Sequence, residues 1–162
     1  MTFKPGIVIR PIRQGEEAAV CEMILRSFDA YVGCDYSPEG VAEFYKYANP
    51  VAMANRLSSD HFVLVAEENH QVVGMIELRG NEHIALLFVD PPYLRKGISR
   101  LLFDQAMCIV KGDNPSFVKM TVNSSRYAVP VYQALGFVVS GPEQTISGIT
   151  FVPMTLEFIP GI

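Results

Sequence analysis

The sequence predicts a mixed α/β domain, and three observations carry that prediction. Short β-branched and apolar runs recur along the chain, segments with apolar residues at helical spacing separate them, and several of the runs arrive in adjacent pairs. Pairing of neighbours favours a mixed sheet over a doubly wound parallel one. At 162 residues the chain is sized for one domain covering 1–162, without repeat, linker or low-complexity segment.

The elements follow in order. Ile7 to Ile12 reads as a strand closed by Arg13-Gln14-Gly15. From Glu16 the period changes. Val20, Met23, Ile24, Phe28 and Tyr31 fall at helical spacing, Glu16 and Glu17 stand near the positive end of the dipole, and Gly33 stops the helix. Ser37-Pro38 opens another helix with a hydroxyl cap and a first-turn proline; Asn49-Pro50 repeats the device for a short helix ending near Leu57. His61 to Glu67 and Gln71 to Leu78 are strands flanking Glu68-Asn69-His70, a hairpin-length loop.

Glu82 to Val89 is nearly continuous in apolar residues, as a strand covered on both faces must be. Asp90-Pro91-Pro92 ends it, because proline cannot donate to a ladder. Ile98, Leu101, Leu102, Ala106, Ile109 and Val110 line one face of a helix ending near Gly112. Phe117 to Val122 is a strand, and Tyr127 to Leu135 a short helix stopped by Gly136. Phe137 to Val139 and Ile149 to Ile159 supply the last strands, separated by a turn-rich stretch around Gly141-Pro142 and Ser147-Gly148.

Composition removes whole classes of function. With 49% hydrophobic and 19% charged residues the chain is not disordered, and a net charge of −4 argues against a nucleic-acid partner. No apolar run approaches the ~20 residues that span a bilayer, and the first residues lack the pattern of a secretory signal. Cys21, Cys34 and Cys108 are few, odd in number and without metal-like spacing. The expectation is a cytoplasmic protein in a reducing compartment, with no metal, membrane or nucleic-acid partner.

Chemistry concentrates between Leu86 and Arg100. A buried strand stops at proline, turns through a basic loop and enters an amphipathic helix at Gly97. Free N–H groups at such a helix start, aided by the dipole, form an anion site. Gly97 lets backbone approach a ligand, and Arg95, Lys96 and Arg100 add positive charge. A phosphate-bearing ligand fits this stretch; so does an ordinary turn with solvated basic residues. Neither the dinucleotide fingerprint nor the P-loop pattern occurs.

Downstream, a strand runs into Asn123-Ser124-Ser125-Arg126-Tyr127, and a helix containing Tyr132 ends in Leu135-Gly136-Phe137. Together with Leu94 to Ser99, this segment resembles the GNAT superfamily of acetyl-CoA-dependent N-acetyltransferases, and the resemblance covers essentially the whole chain. Leu94 stands where the family usually has Gln or Arg, and Ser99 where it has Gly or Ala. The Ser99 hydroxyl can itself donate to phosphate.

The resemblance implies a central mixed, mostly antiparallel sheet with two splayed parallel strands, flanked by helices. It places acetyl-CoA, the co-substrate, in the gap between Glu82–Val89 and Phe117–Asn123. Leu87, Phe88, Val89 and Asn123 would offer backbone to pantetheine, and Leu94, Arg95, Lys96, Gly97, Ile98, Ser99 and Arg100 would hold the pyrophosphate. A free N–H near Phe88 or Val89 would stabilise the oxyanion. Tyr132 occupies the position of the general acid that protonates the departing thiolate, although a packing aromatic would occupy it equally well.

His83 begins the central strand, where some family members carry a base, and imidazole titrates in the useful range. Glu82 and Glu77 are alternatives, directly or through water. Tyr31, Tyr36, Phe44, Tyr45 and Tyr47 form an aromatic band in the region that usually walls the acceptor site, with Asp29, Asp35 or Glu39 available to attract a cation. The function implied is acetyl transfer to a primary amine, the acceptor a small molecule. The alternatives are a protein N-terminal or lysine acetyltransferase and a non-catalytic acyl-CoA-binding or sensing domain. A homodimer stays open.

Overall fold

A computed structural model of the chain describes residues 6–158. Strand β1 (Ile7–Pro11) is followed by helix α1 (Glu17–Tyr31), a 3-10 turn (Gly33–Asp35), α2 (Pro38–Tyr47) and α3 (Pro50–Leu57). Then come β2 (His61–Glu68), β3 (Gln71–Arg79), β4 (His83–Val89), a second 3-10 turn (Pro91–Tyr93) and α4 (Ile98–Asp113). The chain closes with β5 (Lys119–Ser124), α5 (Val129–Ala134), β6 (Val138–Val139), β7 (Gln144–Ile146) and β8 (Ile149–Glu157).

The strands form one mixed sheet in the order β1-β2-β3-β4-β5-β8-β6, with β7 on β8. Every pairing is antiparallel except β4 with β5. This is the mixed sheet that the strand pattern predicts, with the central parallel pair that the resemblance implies. The last strand is recovered as far as Glu157; residues 159–162 lie outside the described residues.

Local chemistry accounts for the boundaries. Ser37 caps α2 by accepting from the Gly40 N–H at 3.2 Å, and Asn49 caps α3 by accepting from Val51 and Ala52, each ahead of a proline. Asn69 (φ 51°) and His70 (φ 62°) make the two-residue turn between β2 and β3, both left-handed as a tight hairpin demands. Pro153 sits inside β8 where that strand's outer edge changes partner, from β7 at Phe151 to β6 at Met154. Its missing N–H is not needed there.

Two cores cover the faces of the sheet. Leu64, Ile76, Ile84, Leu102, Ala106 and Phe137 belong to the one under α4 and α5. Val63, Val65, Met75, Leu86 and Phe28 belong to the one under α1 to α3. Ile84 and Leu86 fall on opposite faces although they are two apart, because Ala85 is an extra residue: Ile84 faces Leu78 and Leu86 faces Glu77. Such a bulge bends a strand and increases its twist.

One difference from the sequence reading bears on function. The turn-rich stretch before Ile149 contains β7, which pairs back onto β8 through Ser147 (φ 51°) and Gly148 (φ 79°). That turn is fixed to α2: the Ser37 N–H donates to the Gly148 carbonyl at 3.1 Å, and a Cβ on Gly40 would stand 2.1 Å from the same oxygen. Only glycine permits this approach.

Candidate active site

Strands β4 and β5 pair only through His83 with Thr121 and Ile84 with Val122. Beyond the bulge at Ala85, β4 stays on β3 while β5 stays on β8, so the two central strands part. The Asp90 N–H donates to the Val73 carbonyl on β3. Since strand groups alternate, the N–H groups of Leu87 and Val89 point the other way, into the gap. On the opposite bank the Thr121 N–H bonds to the Glu82 carbonyl, which turns the Asn123 N–H toward the gap as well. Asn123 faces Pro153 on β8, where no ladder bond is lost to the missing N–H.

A cavity of about 120 Å³ fills this gap, lined by Leu87, Phe88, Val89, Asn123 and Tyr132, with Leu94 and Ser99 from the loop and helix start. A second cavity of about 500 Å³ lies between α2, the gap and the β7–β8 hairpin. The two share Tyr36, Phe44, Ala85, Leu86 and Asn123. The two cavities therefore adjoin at the place where β4 and β5 separate.

The loop into α4 leaves a row of backbone donors free. Arg95 (φ 64°) and Gly97 (φ 79°) are both left-handed. Among the described residues, no N–H from Arg95 to Arg100 donates to a protein acceptor, and α4 has no side-chain cap. Six consecutive free donors on an αL turn and a helix start make a concave positive surface. Ile98 is buried and packs over Gly74, holding the helix against the sheet. The positive side chains divide. Arg95 and Lys96 are exposed, with the Lys96 ammonium 5.0 Å from the Tyr93 ring, whereas Arg100 donates to the Ala134 carbonyl at 2.6 Å and so caps α5. The charge of Arg100 ties two helices together.

Tyr132 is buried and meets Phe137 edge to face at 5.5 Å, yet it also lines the first cavity. Among the described residues its hydroxyl has no hydrogen-bond partner, and burial pushes the phenol well above its ordinary pKa. It stays protonated through neutral pH.

His83 stands at the closed end of the gap, half-buried, and neither cavity includes it among its lining residues. Its Nδ1 lies 2.8 Å from Thr121 Oγ1, and that hydroxyl is 3.2 Å from the Glu82 carbonyl. With the hydroxyl donating to the carbonyl, the ring donates from Nδ1 and keeps a lone pair on Nε2. Burial, with help from Arg79, holds the imidazole below its usual pKa. Glu77 is fully buried, gripped by Arg56 at 2.7 and 3.1 Å and by His61 at 2.6 Å; Glu82 is exposed.

The aromatic band splits. Tyr36, Phe44 and Tyr47 line the second cavity, Tyr45 turns outward to Asp29 at 2.7 Å, and Tyr31 stacks on Tyr127 at 4.8 Å. Asp35 faces Arg126, which Glu143 also holds. Neither Asp29, Asp35 nor Glu39 reaches a cavity wall. Glu43 does, a residue the sequence reading passed over along with Ser147, Ile149 and Phe151. The signal for the last three was the Ser147-Gly148 pair between two β-prone triplets.

Comparison with known proteins matches this arrangement. Residues 33–158 match the family described as acetyltransferase (GNAT) domain. Over 132 residues the chain is 28% identical to the uncharacterized N-acetyltransferase YafP of Escherichia coli (strain K12), covering 82% of this chain and 81% of that protein. The fold is that of a GCN5-related N-acetyltransferase from Rhodopseudomonas palustris, with TM-score 0.80, 22% identity, and coverage of 98% and 99% of the two chains. It is also that of the PaiA N-acetyltransferase from Thermoplasma acidophilum, solved in complex with coenzyme A, with TM-score 0.77, 21% identity, and coverage of 94% and 99%.

Proposed function

The chain belongs to the GNAT acetyltransferase family, whose members are acyltransferases, and from that premise we propose that it acetylates the primary amine of a small molecule using acetyl-CoA. One observation carries the reading. The strands that part beyond Ile84 leave unpaired backbone facing a cavity that ends at Tyr132 and opens, on the other side, into a second cavity. A donor and an acceptor entering from opposite faces would meet in that opening. The relative from Thermoplasma acidophilum solved with coenzyme A supports the choice of donor.

The residues present fit a CoA thioester. The free N–H groups from Arg95 to Arg100 suit a pyrophosphate, and the exposed edges of Leu87, Val89 and Asn123 suit the amides of a pantetheine arm laid alongside them. Acetyl-CoA supplies the activated acyl group; the chain supplies position and protons. The Val89 N–H faces the gap and serves the oxyanion. The Tyr132 hydroxyl, kept neutral by burial, protonates the departing thiolate. The incoming ammonium must lose a proton first, and His83 takes it through water from the closed end of the gap, with Nδ1 tied to Thr121.

The pinning of the β7–β8 turn to α2 supports a small acceptor, because the second cavity is closed on that side. A thiol-release assay with acetyl-CoA and a panel of amines tests the reading, beside thermal melting with CoA, NAD and ATP. Stabilisation by CoA alone with amine-dependent thiol release is expected. Stabilisation without turnover of any amine would leave a binding domain.

A further inference from the structure

We infer that the second cavity selects a primary amine carried on an apolar body, aryl or branched alkyl, that bears no carboxylate or phosphate. This rests on the acetyl-transfer reading and adds the chemical class of the acceptor. Tyr36, Phe44, Tyr47, Ile149 and Phe151 present aromatic and aliphatic surface to the space. Burial of an apolar ligand against them is favourable in proportion to the area removed from water. The Arg56 guanidinium takes one face of Tyr47 at 3.7 Å; an open aromatic face accepts one ammonium group as it passes toward the opening between β4 and β5.

Charge sharpens the choice. Among the described residues lining this cavity, none is cationic, and the sole anionic one is Glu43. Glu43 is exposed and bonded to Lys46 at 3.2 Å on the helix surface. An acceptor carrying a carboxylate or phosphate would bring an unpartnered negative charge against apolar walls and toward Glu43, which is costly. A polyamine would bury further ammonium groups with one carboxylate to share. A monocationic apolar amine avoids both costs.

The experiment compares 2-phenylethylamine, phenylalanine, spermidine and a short peptide with a free N-terminus as acceptors, by thiol release with acetyl-CoA and by thermal melting of the CoA-saturated protein. The expected kcat/KM for 2-phenylethylamine exceeds that for phenylalanine by about 100-fold or more, because a charged group left unsatisfied costs more than a lost neutral hydrogen bond. It also raises the melting temperature of the CoA-saturated protein, and phenylalanine does not. Ile146→Arg places a cation on an exposed cavity residue that does not line the CoA side. It should narrow the discrimination about tenfold while leaving the CoA-induced rise in melting temperature unchanged.

Equal or better use of phenylalanine, spermidine or the peptide overturns the inference and leaves acetyl transfer standing. So does failure of 2-phenylethylamine both to react and to stabilise a protein that binds CoA. If CoA itself gives no stabilisation and no amine releases thiol, the reading beneath has failed and takes this one with it.

Discussion

Ile84 of β4 pairs with Val122 of β5, and beyond these two residues the central strands have no register with each other. The parting has a visible cause. Ala85 is inserted as a bulge against β3, which bends its strand, at the point where β5 keeps unbroken register with β8. A strand pair that closes at one end and opens at the other leaves a wedge of unpaired backbone, and Tyr132 stands on the wall of the cavity there.

The phosphate cradle is tested first. CoA at 100 times its dissociation constant should stabilise the protein by roughly 2.7 kcal/mol. Gly97→Glu puts a negative side chain on the cradle and should abolish the rise in melting temperature. Gly97 has φ 79°, so part of that loss could come from backbone strain. Gly97→Asn separates the two, because Asn tolerates the left-handed region and should retain a reduced CoA response. Wild-type CoA stabilisation in Gly97→Glu would remove the loop from the phosphate site.

Tyr132 has a clean isosteric test. Its ring packs on Phe137, which Tyr132→Phe preserves, while the partnerless hydroxyl is lost. The expected result is a fall in kcat of about 10²-fold, in the range for a positioned acid, with acetyl-CoA affinity unchanged. Stability should hold or rise slightly, since no protein hydrogen bond is broken. Unchanged kcat with a good acceptor would reduce Tyr132 to a packing residue.

For His83 the sign of the pKa shift sets the profile. Burial favours the neutral ring, so its titration lies below the ordinary value of about 6.5. kcat/KM should rise with pH, pass that lower inflection and rise again where the amine itself deprotonates. Amines of different pKa move the upper inflection and leave the lower one. His83→Gln keeps a side chain able to bond Thr121 and should erase the lower inflection alone. If the mutant retains it, the proton leaves by another route.

The sequence carried the sheet and its central strands because Glu82 to Val89 is an apolar run long enough to need cover on both faces, and Asp90-Pro91-Pro92 ends it unambiguously. It carried the uncapped helix start because Gly97 stands where a loop becomes an amphipathic helix, though nothing in the letters shows that Arg100 would turn away to cap α5. That contact joins residues 34 positions apart. The second cavity was harder to read. Its walls come from α2, β4 and the β7–β8 hairpin, brought together by the Ser37–Gly148 bond, the close approach at Gly40 and the contact of the Phe44 and Phe88 rings. Likewise the letters do not show that Arg56 and His61, from separate elements, close around the Glu77 carboxylate.

The entry into α1 predicts a pH dependence of stability that is independent of the active site. Glu16 accepts two bonds from the Arg10 guanidinium, at 2.8 and 2.7 Å, and a third from the Arg13 N–H at 2.7 Å. The Arg10 hydrogen bonds lower its pKa to about 2 against partial burial, from the ordinary 4.5. A carboxyl whose folded pKa is depressed contributes stability that is fully present above the unfolded value and disappears as pH falls through the folded one. The window is therefore pH 4.5 down to 2. The upper bound is about 3 kcal/mol, and partial solvent screening brings it to about 1–2 kcal/mol. Glu16→Gln should be less stable than wild type by that amount at pH 7 and should lose less on acidification, so that the two urea-denaturation curves of stability against pH converge near pH 2. Parallel curves across the window would mean that the Arg10–Glu16 pair contributes nothing through its charge.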